Sequence, residues 1–428
     1  MIWKYIRPYR EKLPDLWWYS LVMFCFSRIG DVIGLVIGIF IVPEFIDQKQ
    51  LGAIFPLLFL ASFAAMPMNV TVNTAIKFIT KFHQEDELGK AKKLIFDLVV
   101  WVLILSLFVI AAMLIWLDSI KEMIGVGDNV LFFTIMAITI CYCWLPLVKA
   151  LAQGLGLFKN LILATTLSPL ARFVVVVCSI GPLGIIGYFW GTLASFLVMI
   201  GYLGRKVFIC FPRHVQAQSY RRHRPDMFAY FLPAGVAAVI FQTQLFLEPL
   251  TIRSKLSEVD SAGYYMAAVF GITPNYIAPA ILTFLFPLVA RLHSKSKDTR
   301  SIHYQSLLFS LTFGLLLTVL FFFIGEPLLN LRAAWSEYSD YGKYIWRIAL
   351  LCTINNTIAV HVAHETAKAQ FRFLFYCFPV VAAEMLALLL FGHFDQTYSL
   401  AFIIHLMLLT RVVVLLAIFL EIGFRKLK

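Results

Sequence analysis

Apolar residues along this chain neither alternate nor recur every third or fourth position. They form continuous runs separated by short, mostly basic polar segments. Twelve runs stand out, at approximately 19–42, 51–76, 94–117, 130–152, 161–180, 183–204, 228–250, 262–287, 303–324, 342–364, 373–391 and 398–421. A helix needs about 20 apolar residues to cross roughly 30 Å of hydrocarbon. The pattern therefore predicts an all-α polytopic membrane protein with twelve transmembrane helices, and an even number of crossings places both termini on one side. The first run follows a basic segment but is longer than a signal-peptide core and has no small-residue cleavage site, so it is expected to remain as an anchor.

Composition supports this class: of 428 residues, 61% are hydrophobic and only 14% charged, against about 25% charged in soluble domains. The net charge of +12 would suggest nucleic acid in a soluble chain. Here the cations sit in the connections between runs, so nucleic acid is not an expected partner and the charge reports orientation instead. With the N-terminus inside, 26 of the 36 Lys and Arg fall on inner segments and seven on outer loops. That bias predicts a multi-pass protein of the cytoplasmic (inner) membrane with both termini cytoplasmic. The seven cysteines are scattered, without CxxC or zinc-like spacing, and read as buried small hydrophobes. No Walker A pattern is present, and nothing in the sequence calls for a cofactor or a metal.

The longest inner connection, Arg205 to Asp226, carries six cations and divides the runs six and six. The expected organisation is an N-terminal six-helix lobe at 1–204, a basic cytoplasmic linker at 205–226 and a C-terminal six-helix lobe at 227–428. A weak internal repeat agrees. Lys81-Phe82-His83 is echoed by Arg291-Leu292-His293 at an offset of 210, and Phe158-Lys159 by Phe371-Arg372 at 213. Two lobes of like topology suit a transporter with its path between them, and interrupted helices at matching places in the halves mark such a path. Pro56 and Pro67 interrupt the second run, and Gly271, Pro274, Pro279 and Pro287 the eighth. Asn69 and Asn73, with Asn275, put amides beside those breaks. The plain alternative is that these prolines only kink their helices.

Ionisable groups within the runs are costly and point to function. Arg28 and Asp31 lie about 15 and 19 Å from the inner end of the first run, and Arg172 about 17 Å into the fifth. Arg28 and Asp31 share a helix face, so a local ion pair beside the small-residue stripe Gly30, Gly34 and Gly38 is an equally physical outcome. Arg172 has no acid in its own run. Gln244 and Glu248 share a face nearer the outer surface and could line a vestibule, while Asn355 and Asn356 are cavity or interhelical hydrogen-bonding candidates. Arg411 and Glu384, at similar depth on consecutive runs, are expected to pair with each other. His361, His364 and Glu365 superficially suggest a metal site, but the order HxxHE matches neither HExxH nor HxxEH, and a satisfied helix end near Lys368 is the expectation.

Short motifs in order along the chain then carry a resemblance. Lys77-Phe78-Ile79-Thr80-Lys81, Ala150-Leu151-Ala152-Gln153-Gly154 with Phe158, Leu232-Pro233, Ala262-Gly263-Tyr264-Tyr265 with Ala267-Ala268, and Phe286-Pro287 together resemble the polysaccharide-exporter (Wzx-type) branch of the multidrug/oligosaccharidyl-lipid/polysaccharide flippase (MOP) superfamily. The resemblance implies a MATE-like fold of two six-helix lobes in a V. It implies alternating access that moves a polyprenyl-pyrophosphate-linked oligosaccharide, an O-antigen or exopolysaccharide repeat unit, between leaflets. Membrane lipids, a polysaccharide polymerase and glycosyltransferases are the implied partners, and the family's cationic cavity maps onto Arg28 and Arg172. Two alternatives stay open: a cation-coupled multidrug exporter of the same superfamily, using Asp31 and Glu248, and a membrane-embedded glycan-processing enzyme. The longest outer loop, Gly325 to Tyr341, is only 17 residues and leaves little room for such an enzyme's site.

Overall fold

The structure, a computed structural model, describes residues 26, 28–124, 128–210, 216–276, 281–282, 285, 288–289, 292–293, 297–394 and 399–427. Within these, the side chains of Asn69, Asn73, Gln244 and Glu248 lie outside what is described. The described residues form helices and turns and no strands. Helix α1 spans 28–45, with a π-helical stretch at Val36–Ile41. The second apolar run becomes two helices, α2 (Ile54–Ala64) and α3 (Met66–Gln84), which meet at Ala65. Pro67 occupies the first turn of α3, where its missing N–H is no loss. Then follow α4 (Leu88–Ile115), α5 (Asn129–Gly154), α6 (Phe158–Leu183) and α7 (Ile185–Ile209). After the linker come α8 (Arg224–Lys255) and α9 (Glu258–Gly271). Pro274 lies in the 3-10 turn Thr273–Tyr276 that follows α9 and interrupts the eighth run. The remaining helices are α10 (Arg300–Leu329), α11 (Gly342–Ala367), α12 (Leu374–Phe394) and α13 (Leu400–Leu427).

Among the described residues, seven helices are long and apolar enough to cross a membrane. The other runs also carry helix, interrupted in the second and eighth and shorter in the eleventh, so the architecture is compatible with the twelve-run pattern. Large apolar side chains point outward along these helices, among them Leu107 and Phe108 on α4, Phe322 and Phe323 on α10, and Leu416 and Leu420 on α13. A belt of this size is a liability in water and the ordinary face of a helix in lipid.

Interhelical packing uses small residues, because lipid offers no hydrophobic drive between apolar helices. Gly184, at φ +53°, turns the chain between α6 and α7 in a backbone region that favours glycine. Those two helices then approach so closely that a Cβ at Gly191 would lie 2.3 Å from Val176 Cγ2 and 3.0 Å from the Arg172 carbonyl. Gly314 on α10 meets Thr353 of α11 in the same way. Helices α6 and α7 pack on α5, which packs on α3; α10 packs on α11, which packs on α13.

The two halves of the chain touch through α8, which lies against α2 and α3, and through a second set of contacts at the end expected to face outward. Lys49 pairs with Glu258 at 3.2 Å and Arg332 with Glu44 at 2.8 Å. Phe55 packs on Tyr265 with ring centroids 4.7 Å apart, and a Cβ at Gly52 would fall 2.8 Å from that of Ser261. The Trp335 indole donates to the Ile39 carbonyl, inside the π-helical stretch, at 2.9 Å. The end of the linker is strapped onto α4: the Gln218 N–H donates to the Gly89 carbonyl at 2.9 Å and the Tyr220 hydroxyl to Asp97 at 2.7 Å. Burial, followed by that bond to a carboxylate, pushes the Tyr220 phenol up to about 12.

Candidate functional site: an arginine and tyrosine cluster between the halves

Three interrupted or tightly packed elements converge where α1 and α6 of the first half face the turn after α9 of the second. Arg28 on α1 forms an ion pair with Asp31 at 2.8 Å, each side chain about a quarter exposed. The same guanidinium donates to the Tyr276 carbonyl, 248 residues away. Tyr276 closes the 3-10 turn Thr273–Tyr276. The turn is held from behind by Asn356 of α11, whose side-chain amide donates to the Pro274 carbonyl at 2.8 Å.

Arg172 enters from α6 with different company. Its guanidinium lies over the Tyr188 ring, 5.0 Å from the centroid, a position set by the Gly187 and Gly191 contacts that flank Tyr188 on α7. It is within electrostatic reach of Tyr142, Tyr265 and Tyr276, and Tyr276 is also within reach of Asp31 and Arg28. No carboxylate stands within 4.0 Å of Arg172 among the described residues. Its Nε is buried there without a hydrogen-bond partner. A cation–π contact leaves the charge of the guanidinium in place and its donors uncommitted. The arrangement can receive an anion or a polar oxygen at mid-depth.

The site residues expected from sequence divide accordingly. Arg28, Asp31 and Arg172 converge on the turn that contains Asn275, and Asn356 supports that turn. Asn355 faces elsewhere: its side-chain oxygen accepts from Arg411 Nε at 2.8 Å, and Arg411 pairs with Glu384, which also accepts from Thr410 at 3.0 Å. The expected Arg411–Glu384 pair is thus present as a buried network within the second half. Asn69, Asn73, Gln244 and Glu248 carry side chains outside the described set. The glycine stripe on α1 divides too. Gly30 seats Pro169 of α6, Gly38 seats Val269 of α9, and Gly34 faces open space. Nothing in the sequence singles out Tyr188, Tyr265 and Tyr276, which the structure adds to the cluster. The nearest signal is faint: Tyr265 sits in the Ala-Gly-Tyr-Tyr motif and Tyr276 immediately follows Asn275.

His361, His364 and Glu365 lie at the other end of α11, close to His303 of α10. His303, His364 and Glu365 bring ligand-type atoms within 4.8 Å of one another. The His303 and His364 rings are stacked parallel, 3.9 Å apart at an interplanar angle of 1°. Their lone pairs therefore lie in parallel planes, and no single ion would take both.

No protein family matches this sequence by profile, and no curated protein matches it. Solved structures do. The chain superposes on an inward-facing multidrug resistance MATE family transporter of the MOP superfamily with a TM-score of 0.68 at 13% identity, covering 95% of this chain and 98% of that one. An outward-facing structure of a MATE family transporter of the MOP superfamily gives 0.68 at 14%, covering 96% and 94%. The lipid II flippase MurJ, in an inward closed conformation, gives 0.68 at 12%, covering 95% and 87%. At these identities the likeness defines the fold: an all-α, polytopic, MATE-like architecture.

Proposed function

We propose that this chain is a MOP-superfamily flippase that carries a lipid-linked oligosaccharide across the cytoplasmic membrane by alternating access, with a polyprenyl-pyrophosphate-linked repeat unit as the substrate. The observation that carries this reading is Arg172, a mid-depth guanidinium held over a tyrosine ring with no carboxylate beside it among the described residues. Such a charge is expensive in a membrane unless an anion shares the space, and a pyrophosphate is a strong, bidentate partner for it. Tyrosines around it suit sugars, offering an aromatic face and a hydroxyl together. Arg28, tied to Asp31 and to the Tyr276 carbonyl, links the charged patch to the opposite half. In this reading residues 1–204 and 227–428 rock as two lobes about the linker at 205–226, with both termini in the cytoplasm, the side the Lys and Arg distribution favours. A polysaccharide polymerase and glycosyltransferases would stand before and after it in the assembly of the glycan.

The rival reading is a cation-coupled multidrug exporter, favoured by the partly exposed Asp31 carboxylate. The two diverge in a reconstituted assay that follows transfer of a lipid-linked oligosaccharide between leaflets. The flippase reading expects Arg172→Gln to lose tenfold or more of the rate and Asp31→Asn to keep most of it. A variant series in which Asp31→Asn is dead and Arg172→Gln is active would overturn it.

A further inference from the structure

Away from the cluster between the halves, the second half contains a cavity of about 540 Å³ at the meeting of α10, α11, the turn before α12 and the end of α13. By the distribution of Lys and Arg this is the end expected to face the cytoplasm. Its floor is polar and more than nine-tenths buried: His303, His364 and Glu365 are 6%, 1% and 1% exposed. The floor is hydrogen-bonded within itself. His364 Nδ1 lies 2.9 Å from Glu365 Oε1, and its Nε2 lies 3.0 Å from the Thr299 hydroxyl. His303 Nε2 is 3.3 Å from His361 Nδ1, and beyond it the Tyr376 hydroxyl donates to Glu421 at 2.8 Å.

The rim carries the charge. Among the described residues, Arg300, Lys368 and Arg372 line the cavity against one carboxylate, Glu365. That carboxylate is already engaged by His364 and stands 3.8 Å from Lys368. Neither Arg300 nor Arg372 has a carboxylate within 4.0 Å among the described residues. Two guanidinium forks and an ammonium around a hydrogen-bonded floor repel a metal cation and match the oxygens of a phosphate. The volume falls in the range of small-molecule sites, and Tyr304 and Ile422 give one wall an apolar character.

We propose that this cavity binds a phosphate group, presented either by an anionic lipid headgroup of the adjoining leaflet or by a soluble phosphate compound. It is separate from the cluster of Arg28 and Arg172, and stands whether or not the flippase reading does. The test uses the full chain, purified in detergent and titrated calorimetrically with inorganic phosphate and pyrophosphate. In parallel, lipid retention by native mass spectrometry is compared between nanodiscs of phosphatidylglycerol and of phosphatidylcholine. Binding of the soluble anions identifies a soluble source; selective retention of phosphatidylglycerol alone identifies the headgroup. In either case Arg300→Gln with Arg372→Gln is expected to weaken binding about tenfold or more, while Lys159→Gln with Arg205→Gln, basic sites elsewhere, leaves it within about twofold. The single variants, both at exposed positions, carry the comparison if the double variant cannot be purified. Absence of binding in every arm, or equal affinity in the Arg300 and Arg372 variants, overturns the proposal.

Discussion

Arg172 and Arg411 are both guanidiniums within apolar helices, but they solve the problem of charge in lipid differently. Arg411 is 2% exposed and Glu384 is 3% exposed, and the pair is completed by Asn355 and Thr410. Breaking such a pair leaves one uncompensated buried charge, which costs about 3–5 kcal/mol, whereas replacing both partners with apolar residues of similar volume is far milder. Arg411→Met alone is therefore expected to lower the melting temperature in detergent more than Glu384→Leu with Arg411→Met together. A single variant as stable as the double one would show that the network carries no such energy. Arg172 has no comparable neutralising partner among the described residues, which is why its variants should be read in transport rather than in stability.

At the scale of elements, the site depends on how closely α6 and α7 approach. A side chain at Gly191 would overlap Val176 and press on the Arg172 carbonyl. Gly191→Leu is expected to cost about 1–3 kcal/mol through overpacking and to move Tyr188 off Arg172, so that both melting temperature and transport fall. Gly34, which faces open space, should accept Gly34→Ala with little change in melting temperature. In α1 the indole of Trp335 meets the π-helical stretch at Ile39. Trp335→Phe removes one buried hydrogen bond, worth about 1 kcal/mol, and should increase amide exchange in 36–41.

At the scale of the whole molecule, contacts at one end hold the halves together through Lys49 and Glu258, Glu44 and Arg332, and Phe55 and Tyr265. The alternating access proposed for this chain would require these contacts to part. In a background lacking the native cysteines, bridging Lys49→Cys to Glu258→Cys with a short thiol cross-linker is expected to stop transport after a single half-cycle, with recovery on cleavage of the linker. Unchanged turnover in the fully bridged protein would rule out opening at that end.

The sequence by itself determined the class of architecture, because the length of an apolar run and the absence of periodic polar positions leave a spanning helix as the only way to satisfy the backbone in lipid. It also marked Pro67 and Pro274, beside which the second and eighth runs break, although α5, α6 and α8 run through Pro146, Pro169, Pro233 and Pro249, so a missing N–H alone does not set a break; and it marked which charges fall inside apolar runs. The pairing of Arg411 with Glu384 was legible in consecutive runs; what the other charges meet, only the tertiary structure decided. Arg28 and Asp31 pair locally, Asn355 turns to Arg411 while Asn356 turns to Pro274, and Arg172 finds Tyr188 because two glycines let α7 come close. His303 and His364 are 61 positions apart in the chain yet stack face to face. Contacts of this kind depend on helix rotation and on the angle between neighbours, which small residues on both surfaces set jointly and which no single run encodes.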